Sequence, residues 1–434
     1  MIAGRCLVKC SLRYYGGPGM RKLCMLVTLL LVEMCIGQSR AAEPARSQLP
    51  DELQQTAPPK LPQPGWSYSP ETGTVFTSGD FRWTTAGYAE RLFDPNGPDQ
   101  WRRVRQSSEF AFPRLTDSLR PVFVYEVDFT NNKFFQEGSA RKIFENLFVA
   151  LQNPDDPSRF RILFGENTHV MSREDNLPSG NLPTINRSLI LEEHNARGIF
   201  GTQFGIEAQM ALTDRINLAV GVQDNRGSLN KDLPRYDIGN SWSARISNAL
   251  IKDGQAGQKL VVGFGIDNTR DIQNDRFALL TAIGQTSLGG VPVAGDKNSI
   301  ASDIAYTFPI LGHPITLEAE AIYSDFSNSR TAVAGGYIMG QVSLFDTDNA
   351  GALYPFVRYD LVRLSQDGID GRAVQQAWRI GFNYNLPHMA KLVNFHVEWA
   401  HNVVDGPAQI VTGPRVVDEF RLELRASLTP YVRP

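Results

Sequence analysis

The chain has 434 residues, of which 42% are hydrophobic, 10% aromatic and 21% charged, and its formal net charge is −3. The near balance of 43 basic and 46 acidic residues excludes a strongly basic nucleic-acid-binding protein. A membrane-spanning helix needs roughly 18–20 apolar residues, and the longest candidate, from Leu23 to Gly37, is interrupted by Glu33. The sequence therefore predicts either two or three ordinary domains or one large β architecture.

Residues 1–41 are predicted to be an N-terminal extension followed by a secretory signal peptide. Arg21 and Lys22 precede a short apolar segment, and Ser39-Arg40-Ala41 supplies a small-x-small cleavage site. The true start is either Met1 or Met20. Residues 42–65 are polar and rich in proline, which predicts a flexible tail, and residues 66–434 form the remaining domain. All four cysteines precede the cleavage site, so we expect an exported chain without thiols: Cys6, Cys10, Cys24 and Cys35.

From Phe81 onward the hydrophobic pattern has a period of two. In the last segment, Phe420, Leu422 and Leu424 alternate with charged residues such as Arg421 and Glu423. Successive side chains of a β-strand point to opposite faces, so each such segment has one apolar and one polar face.

This alternation predicts sixteen strands, an even number. They are placed at 81–92, 102–112, 121–129, 142–151, 159–166, 203–212, 216–223, 240–251, 259–267, 299–308, 314–323, 336–345, 353–364, 377–386, 392–400 and 417–429.

The connections between these strands alternate between short and long, and the two longest, 167–202 and 268–298, belong to the long series. Short turns at one end and long loops at the other are typical of an antiparallel transmembrane β-barrel of the outer membrane. Barrel closure also removes the open sheet edges that sixteen strands would otherwise expose.

The orientation of the apolar face distinguishes a barrel from a soluble exported β-sandwich, whose apolar face is buried between two sheets. Three features favour the barrel: segments of about 9–12 residues suit tilted spanning strands, small polar residues fill the other face, and aromatic residues gather near strand ends as in an interfacial girdle. The girdle candidates are Trp242, Tyr306, Phe308, Tyr323, Trp378, Tyr384 and Trp399. A sandwich that binds ligands remains the alternative.

Four stretches follow one another in a recognisable order: FVYEVDFTNNKFF at Phe123–Phe135, FENLFVAL at Phe144–Leu151, RFRILFGENTHVMSRED at Arg159–Asp175 and NRSLILEEHN at Asn186–Asn195. A strand ending in acidic and aromatic residues is followed by an arginine- and glycine-containing strand-turn-strand and a long third loop. In this order the chain resembles the phosphate-selective porin O and P family over residues 66–434. The resemblance implies a sixteen-stranded barrel, usually trimeric, with the third and fifth external loops folded into the lumen.

The chain departs from that family in two respects. Its third loop contains arginines but no lysine, and it also contains acidic residues, among them Glu174 and Asp175. The chain ends at Pro434 without the terminal aromatic residue common in such barrels. The first departure dilutes the basic constriction of the family, and the second concerns the assembly signal rather than the fold.

The polar faces of the predicted strands carry ten basic and twelve acidic residues, so the predicted lumen wall is nearly neutral. Phosphate selectivity would need a local arginine cluster, because guanidinium groups match phosphate oxygens in pairs. The alternative is that the arginines are solvated or paired with acids. The candidates for the pore constriction and lumen are Arg105, Arg159, Arg161, Arg173, Arg187, Arg197, Arg245, Arg379, Arg421 and Arg425.

The sequence supplies no motif for catalysis, a cofactor or a metal. His396 and Glu398 share a face, but His401 has the opposite parity, which argues against a metal site. We therefore predict a non-enzymatic outer-membrane porin without cofactors. The expected partners are membrane lipid, small ions or polar solutes and two further copies of the chain, but no nucleic acid. A non-conducting structural barrel is a further alternative.

Overall fold

A computed structural model describes residues 64–69, 73–93, 100–129, 144–168, 170–177, 182–191, 202–224, 240–252, 257–284, 286–347, 350–387 and 392–427. The predicted signal peptide, residues 1–41, lies outside the described residues, as does nearly all of the predicted tail. Among the described residues, no helix is long and apolar enough to cross a membrane.

The described chain forms nineteen strands. They are β1 (Gly65–Ser69), β2 (Gly73–Ser78), β3 (Phe81–Phe93), β4 (Gln100–Ala111), β5 (Arg120–Asp128), β6 (Phe144–Gln152), β7 (Phe160–Thr168), β8 (Thr202–Ala211), β9 (Ile216–Asp224), β10 (Asn240–Ile251), β11 (Lys259–Leu280), β12 (Ser287–Ile310), β13 (His313–Phe326), β14 (Thr331–Val342), β15 (Phe345–Thr347), β16 (Gly351–Gln366), β17 (Ala373–Asn385), β18 (Val393–Asp405) and β19 (Val416–Ser427).

Sixteen of these strands, β3–β14 and β16–β19, form a closed antiparallel barrel. Closure is made by β19 on β3, whose pairing runs from Leu422 with Phe93 to Ser427 with Tyr88. The β1–β2 hairpin continues the sheet at this seam, because β2 pairs with the first part of β3. Each of the sixteen predicted strands corresponds to one barrel strand, so the predicted fold class is confirmed.

The apolar face of the barrel points outward. Phe264, Ile300 and Trp378 are each about half exposed, whereas inner-face residues such as Asp360 and Glu398 are fully buried. This arrangement is the reverse of a sandwich core, and the β-sandwich alternative is wrong. Sixteen strands enclose more space than wall side chains can fill, which leaves room for loops and water inside.

Aromatic residues form a continuous row on the outer face near the strand ends that short turns join. Cross-strand register aligns Trp66, Phe76, Trp83, Phe110 and Phe123 on five strands. The rings of Trp83 and Phe110 stack with centroids 5.6 Å apart. Such a row is the side-chain arrangement that a membrane interface favours.

The predicted fifth loop, 268–298, is mostly not a loop. Strands β11 and β12 continue through it as one paired hairpin, interrupted by irregularities after Thr269, Ile272 and Leu279. The alternation is lost because the hairpin end is covered on both faces: Phe277, Ala278, Leu279 and Leu280 are buried in succession. A period-two pattern therefore could not reveal this part of the strands.

Candidate functional site

The candidate site is the barrel interior where L3, the described residues 170–177 and 182–191 between β7 and β8, meets the inner wall. Wall carboxylates accept hydrogen bonds from the L3 backbone. Glu320 accepts from the amides of Arg173 and Glu174 at 2.9 and 3.2 Å. Glu398 accepts from the Ile185 amide at 2.7 Å. The polar inner faces of β13 and β18 therefore hold L3 inside the barrel.

Wall arginines hold the same segment from the donor side. Arg379 in β17 donates to the carbonyl oxygens of Asn186 and Arg187 at 2.9 and 3.0 Å, and its Nε lies 2.5 Å from Glu398. Arg358 in β16 bonds Glu174 of L3 at 2.6 Å. Because both guanidinium groups are fully buried, they act as fixed attachments of L3.

The end of the β11–β12 hairpin also enters the lumen at residues 281–284. Glu419 accepts from the backbone amides of Ile283 and Gly284, and Asn402 accepts from the Ala282 amide at 2.8 Å. Asn186 of L3 donates to the carbonyls of Ala282 and Ile283. The hairpin end is therefore joined to both the wall and L3.

An apolar core joins these internal segments. Ile185 and Leu189–Leu191 of L3 pack in one buried cluster with Phe277, Leu288 and Val291 of the hairpin. Ile410, from the 406–415 segment between β18 and β19, belongs to the same cluster. Its carbonyl accepts from the Gly290 amide at 2.8 Å. The inner segments are therefore packed against one another as well as tied to the wall.

A cavity of about 300 Å³ remains between L3 and the wall, near the strand ends that short turns join. Its wall side is formed mainly by amides, a tyrosine and a histidine: Gln341, Tyr354, Asn383, Asn385, Asn394 and His396. Its L3 side is formed by Arg173, Leu177, Leu182 and Pro183.

Two charged residues of L3 have shifted pKa values. Burial alone would raise the pKa of Glu174, but the charge and hydrogen bonds of Arg358, with hydrogen bonds from Ser188, lower it below the ordinary value of 4.5. Burial would lower the pKa of Arg173, but the hydrogen bond and charge of Glu318 raise it. Both groups are therefore charged at neutral pH.

The structure brings several of the predicted lumen arginines onto carboxylates. Arg105 lies 3.0–3.2 Å from Asp128, Glu126 and Glu145. The other close pairs are Arg173 with Glu318 at 2.7 Å, Arg245 with Asp303 at 2.6 Å, Arg379 with Glu398 at 2.5 Å, and Arg425 with Glu423 at 2.9 Å and Glu90 at 3.0 Å.

The remaining candidates have different positions. Arg187 bonds carbonyl oxygens within L3, and its Nε lies 3.6 Å from the Asp175 carboxylate. The guanidinium of Arg161 lies 4.9 Å from the ring centre of Phe148. Arg421 donates to the neighbouring Phe420 carbonyl. Arg159 lies before β7 in a short turn, with its side chain 74% exposed, and is not on the wall. Arg197 lies outside the described residues.

Sequence reasoning missed the amides of the cavity. Asn383, Asn385 and Asn394 have the parity of the polar face, so the alternation did place them inside. A charge count does not reveal them, because amide side chains carry no charge. It also missed Lys297, which is fully buried against Asp267 at 2.8 Å in the region predicted to be a loop. Among the described residues no cluster of His, Cys, Asp or Glu could hold a metal ion.

No protein-family model matches the chain, and no curated protein matches its sequence. Solved structures share its fold. In-vitro folded OmpT, an outer membrane protein of Vibrio cholerae, has a TM-score of 0.52 at 10% identity, covering 81% of this chain and 99% of that chain. Its trimer form has a TM-score of 0.51 at 10% identity, covering 80% and 99%. OmpF of Salmonella typhi, in complex with daunomycin, has a TM-score of 0.52 at 15% identity, covering 84% and 100%.

These structural similarities confirm the barrel fold. Their sequence identities are too low to carry information about what the chain binds. The chain shares the barrel fold of these solved structures. The finer resemblance, to the phosphate-selective porin family, stays a prediction.

Proposed function

We propose that the protein is an outer-membrane porin that lets small hydrophilic solutes or ions diffuse passively through a lumen narrowed by L3. The observation that carries this proposal is the polarity of the wall: apolar side chains face outward, and charged and amide side chains face inward. A hydrated solute in such a lumen avoids the large free-energy cost of entering a low-dielectric medium. We infer an outer-membrane location and export by the signal peptide at residues 1–41.

Selectivity in this proposal depends on the residues beside L3, where the infolded segment brings charges close to a passing solute. Phosphate selectivity would need arginines with donor capacity to spare. The ion pairs of Arg105, Arg173, Arg245, Arg379 and Arg425 argue against a strong phosphate site made from these groups. We therefore propose weak selectivity between small anions and cations. Assembly into a trimer is proposed from the family resemblance, and a trimer form of OmpT exists.

A second candidate is a structural barrel that does not conduct. The buried cluster that joins L3, the β11–β12 hairpin and the segment containing Ile410 favours it, because this cluster occupies part of the interior. The two candidates differ in one measurable property, the conductance of the folded protein in a planar bilayer.

The test uses the full-length protein extracted in detergent, with altered gel migration before boiling as the check of folding. Stepwise conductance on insertion into a planar bilayer is expected for a porin. Insertion of folded protein without conductance would reject the porin proposal in favour of the structural barrel.

Replacing Arg173, Arg187 and Arg197 together with alanine is expected to shift the zero-current potential under a salt gradient toward cation preference. An unchanged potential would mean that these residues do not line the constriction.

A further inference from the structure

The cavity beneath L3 combines hydrogen-bonding atoms that the protein leaves unused. Asn383 donates through Nδ2 to the Pro183 carbonyl at 2.8 Å. The Oδ1 atoms of Asn383 and Asn394 are buried and accept no hydrogen bond from any residue that the structure describes. A buried acceptor without a partner costs about 1–3 kcal/mol in a folded protein, so a bound solute with hydroxyl donors would recover that cost.

The charges around the cavity are already neutralised. Arg173 pairs with Glu318, and Arg425 pairs with Glu90 and Glu423. A phosphate ion entering here would have to break one of these pairs, or enter without a compensating cation, and either step is unfavourable. A neutral solute meets no such cost.

The L3 side of the cavity adds an apolar surface. Leu177, Leu182 and Pro183 face the wall amides, and Met339 of β14 contributes from the wall. A polyhydroxylated ring has the matching amphipathic character, with hydroxyl groups at its edge and C–H groups on its faces. The volume of about 300 Å³ lies at the lower end of small-molecule sites, which suits a solute of roughly hexose size.

From this arrangement we propose that the cavity binds a neutral polyhydroxylated solute, such as a monosaccharide, in preference to phosphate. The proposal rests on the proposed porin function and names the solute class that the lumen recognises. Asn383 and Asn394 accept hydrogen bonds from the solute hydroxyls, Gln341 and Asn385 supply further amide contacts, and the L3 apolar residues cover one ring face.

The experiment measures the ion current of the full-length protein in a planar bilayer as D-glucose is added, and in separate runs as inorganic phosphate is added at constant ionic strength. Glucose is expected to reduce the current in a saturable manner, because a bound solute obstructs the lumen, whereas phosphate is expected not to. N383A and N394A are each expected to weaken the apparent glucose affinity by about five- to tenfold, the value of one lost hydrogen bond.

The matched control is N146A. Asn146 lies on the inner face of β6, away from the cavity, and donates to Glu126 at 3.5 Å. This variant is expected to keep the glucose affinity of the parent. All three variants must show the parent's gel migration, and the glucose effect of each is expressed relative to its own sugar-free conductance. The double variant N383L/N394L, which fills the space with apolar atoms, is expected to abolish the glucose effect.

The outcomes separate the two proposals. Saturable reduction by glucose that is weakened in N383A and N394A but unchanged in N146A supports the site. Three results would overturn the proposed site but not the porin function. They are a conducting protein that glucose does not affect, a saturable reduction of the current by phosphate, and an equal loss of glucose affinity in N383A, N394A and N146A. Folded protein that inserts without conducting overturns the porin function itself.

Discussion

On the β13–β19 side of the barrel, buried carboxylates accept hydrogen bonds from the backbone of inner segments, and Glu398 does so while it also pairs with Arg379. On the β3–β5 side, the carboxylates pair with an arginine of a neighbouring strand. Glu320 and Glu398 hold L3, and Glu419 holds the β11–β12 hairpin. In contrast, Glu126 and Asp128 pair with Arg105. Acidic residues on the inner face of the barrel therefore have two roles: some hold inner segments, and some pair with wall arginines.

The difference between the two roles follows from the groups that lie beside each carboxylate. Backbone amides of an irregular segment need acceptors when they are removed from water, and wall carboxylates supply them where a segment folds inward. Where wall side chains meet one another, a guanidinium of the adjacent strand neutralises the charge instead. Variants on the two sides should therefore fail in different ways.

The largest effect is expected from R379A. This change leaves Glu398 buried without its closest cation and removes two hydrogen bonds to L3, which should lower the free energy of unfolding by about 3–5 kcal/mol. Thermal or denaturant unfolding in detergent measures it. The control is R159A, because Arg159 is an exposed turn residue, and little change is expected there. Equal stability of R379A and the parent would show that Arg379 does not hold L3.

On the other side of the barrel, R105A is expected to change ion selectivity, and the Arg105 hydrogen bonds that it removes go to wall carboxylates. The Arg105 side chain is 15% exposed and pairs with three carboxylates, so its loss leaves a more negative wall. The zero-current potential under a salt gradient should shift toward cation preference. R105K keeps the charge and should keep the potential of the parent. A shift of equal size in R105K would contradict an electrostatic origin.

The contrast between the two sides also shows what the sequence can predict. Alternation placed all sixteen strands, and it put Glu126, Glu320, Glu398 and Glu419 on the inner face, because side-chain parity in a strand is a local property. Which partner each carboxylate finds depends on how L3 and the β11–β12 hairpin fold into the lumen. Nothing in the local pattern at Glu320 distinguishes it from Glu126.

Amide residues show a related limit. Asn383 and Asn394 lie on the neighbouring strands β17 and β18. They line a common cavity because Leu182 and Pro183 of L3 cover this part of the wall. The sequence predicted Arg425 on the polar strand face and Arg173 in the third loop, but it could not show that each pairs with a carboxylate. Charge counts describe the wall as a whole and do not locate a binding site.

A moderate effect is expected from G335V in β14, which tests whether L3 is closely seated on the wall. A Cβ atom at Gly335 would lie 3.1 Å from Ile190 of L3 and 2.7 Å from the Leu361 carbonyl oxygen. The added side chain should displace L3 and cost about 1–3 kcal/mol of stability, with a changed single-channel conductance. G340A in the same strand is the control, because its Cβ would meet only Leu317 at 3.4 Å. Parent-like conductance in G335V would show that Ile190 can move without altering the lumen.

The smallest effect is expected from acidification. The pKa of Glu174 is lowered in the folded protein, so its ion pair with Arg358 contributes stability above the ordinary value of 4.5 and loses that contribution as the pH falls through the lowered value. The part of the single-channel conductance that depends on this ion pair should therefore be retained above the ordinary value of 4.5 and change at lower pH as L3 loosens. E174Q is uncharged at every pH and keeps an oxygen that can accept from Arg358, so it should lack this part of the acidic transition. If E174Q shows the same acidic transition as the parent, other carboxylates cause the change in conductance. If E174Q lacks the transition, the Glu174–Arg358 ion pair sets the pH at which L3 is released from the wall.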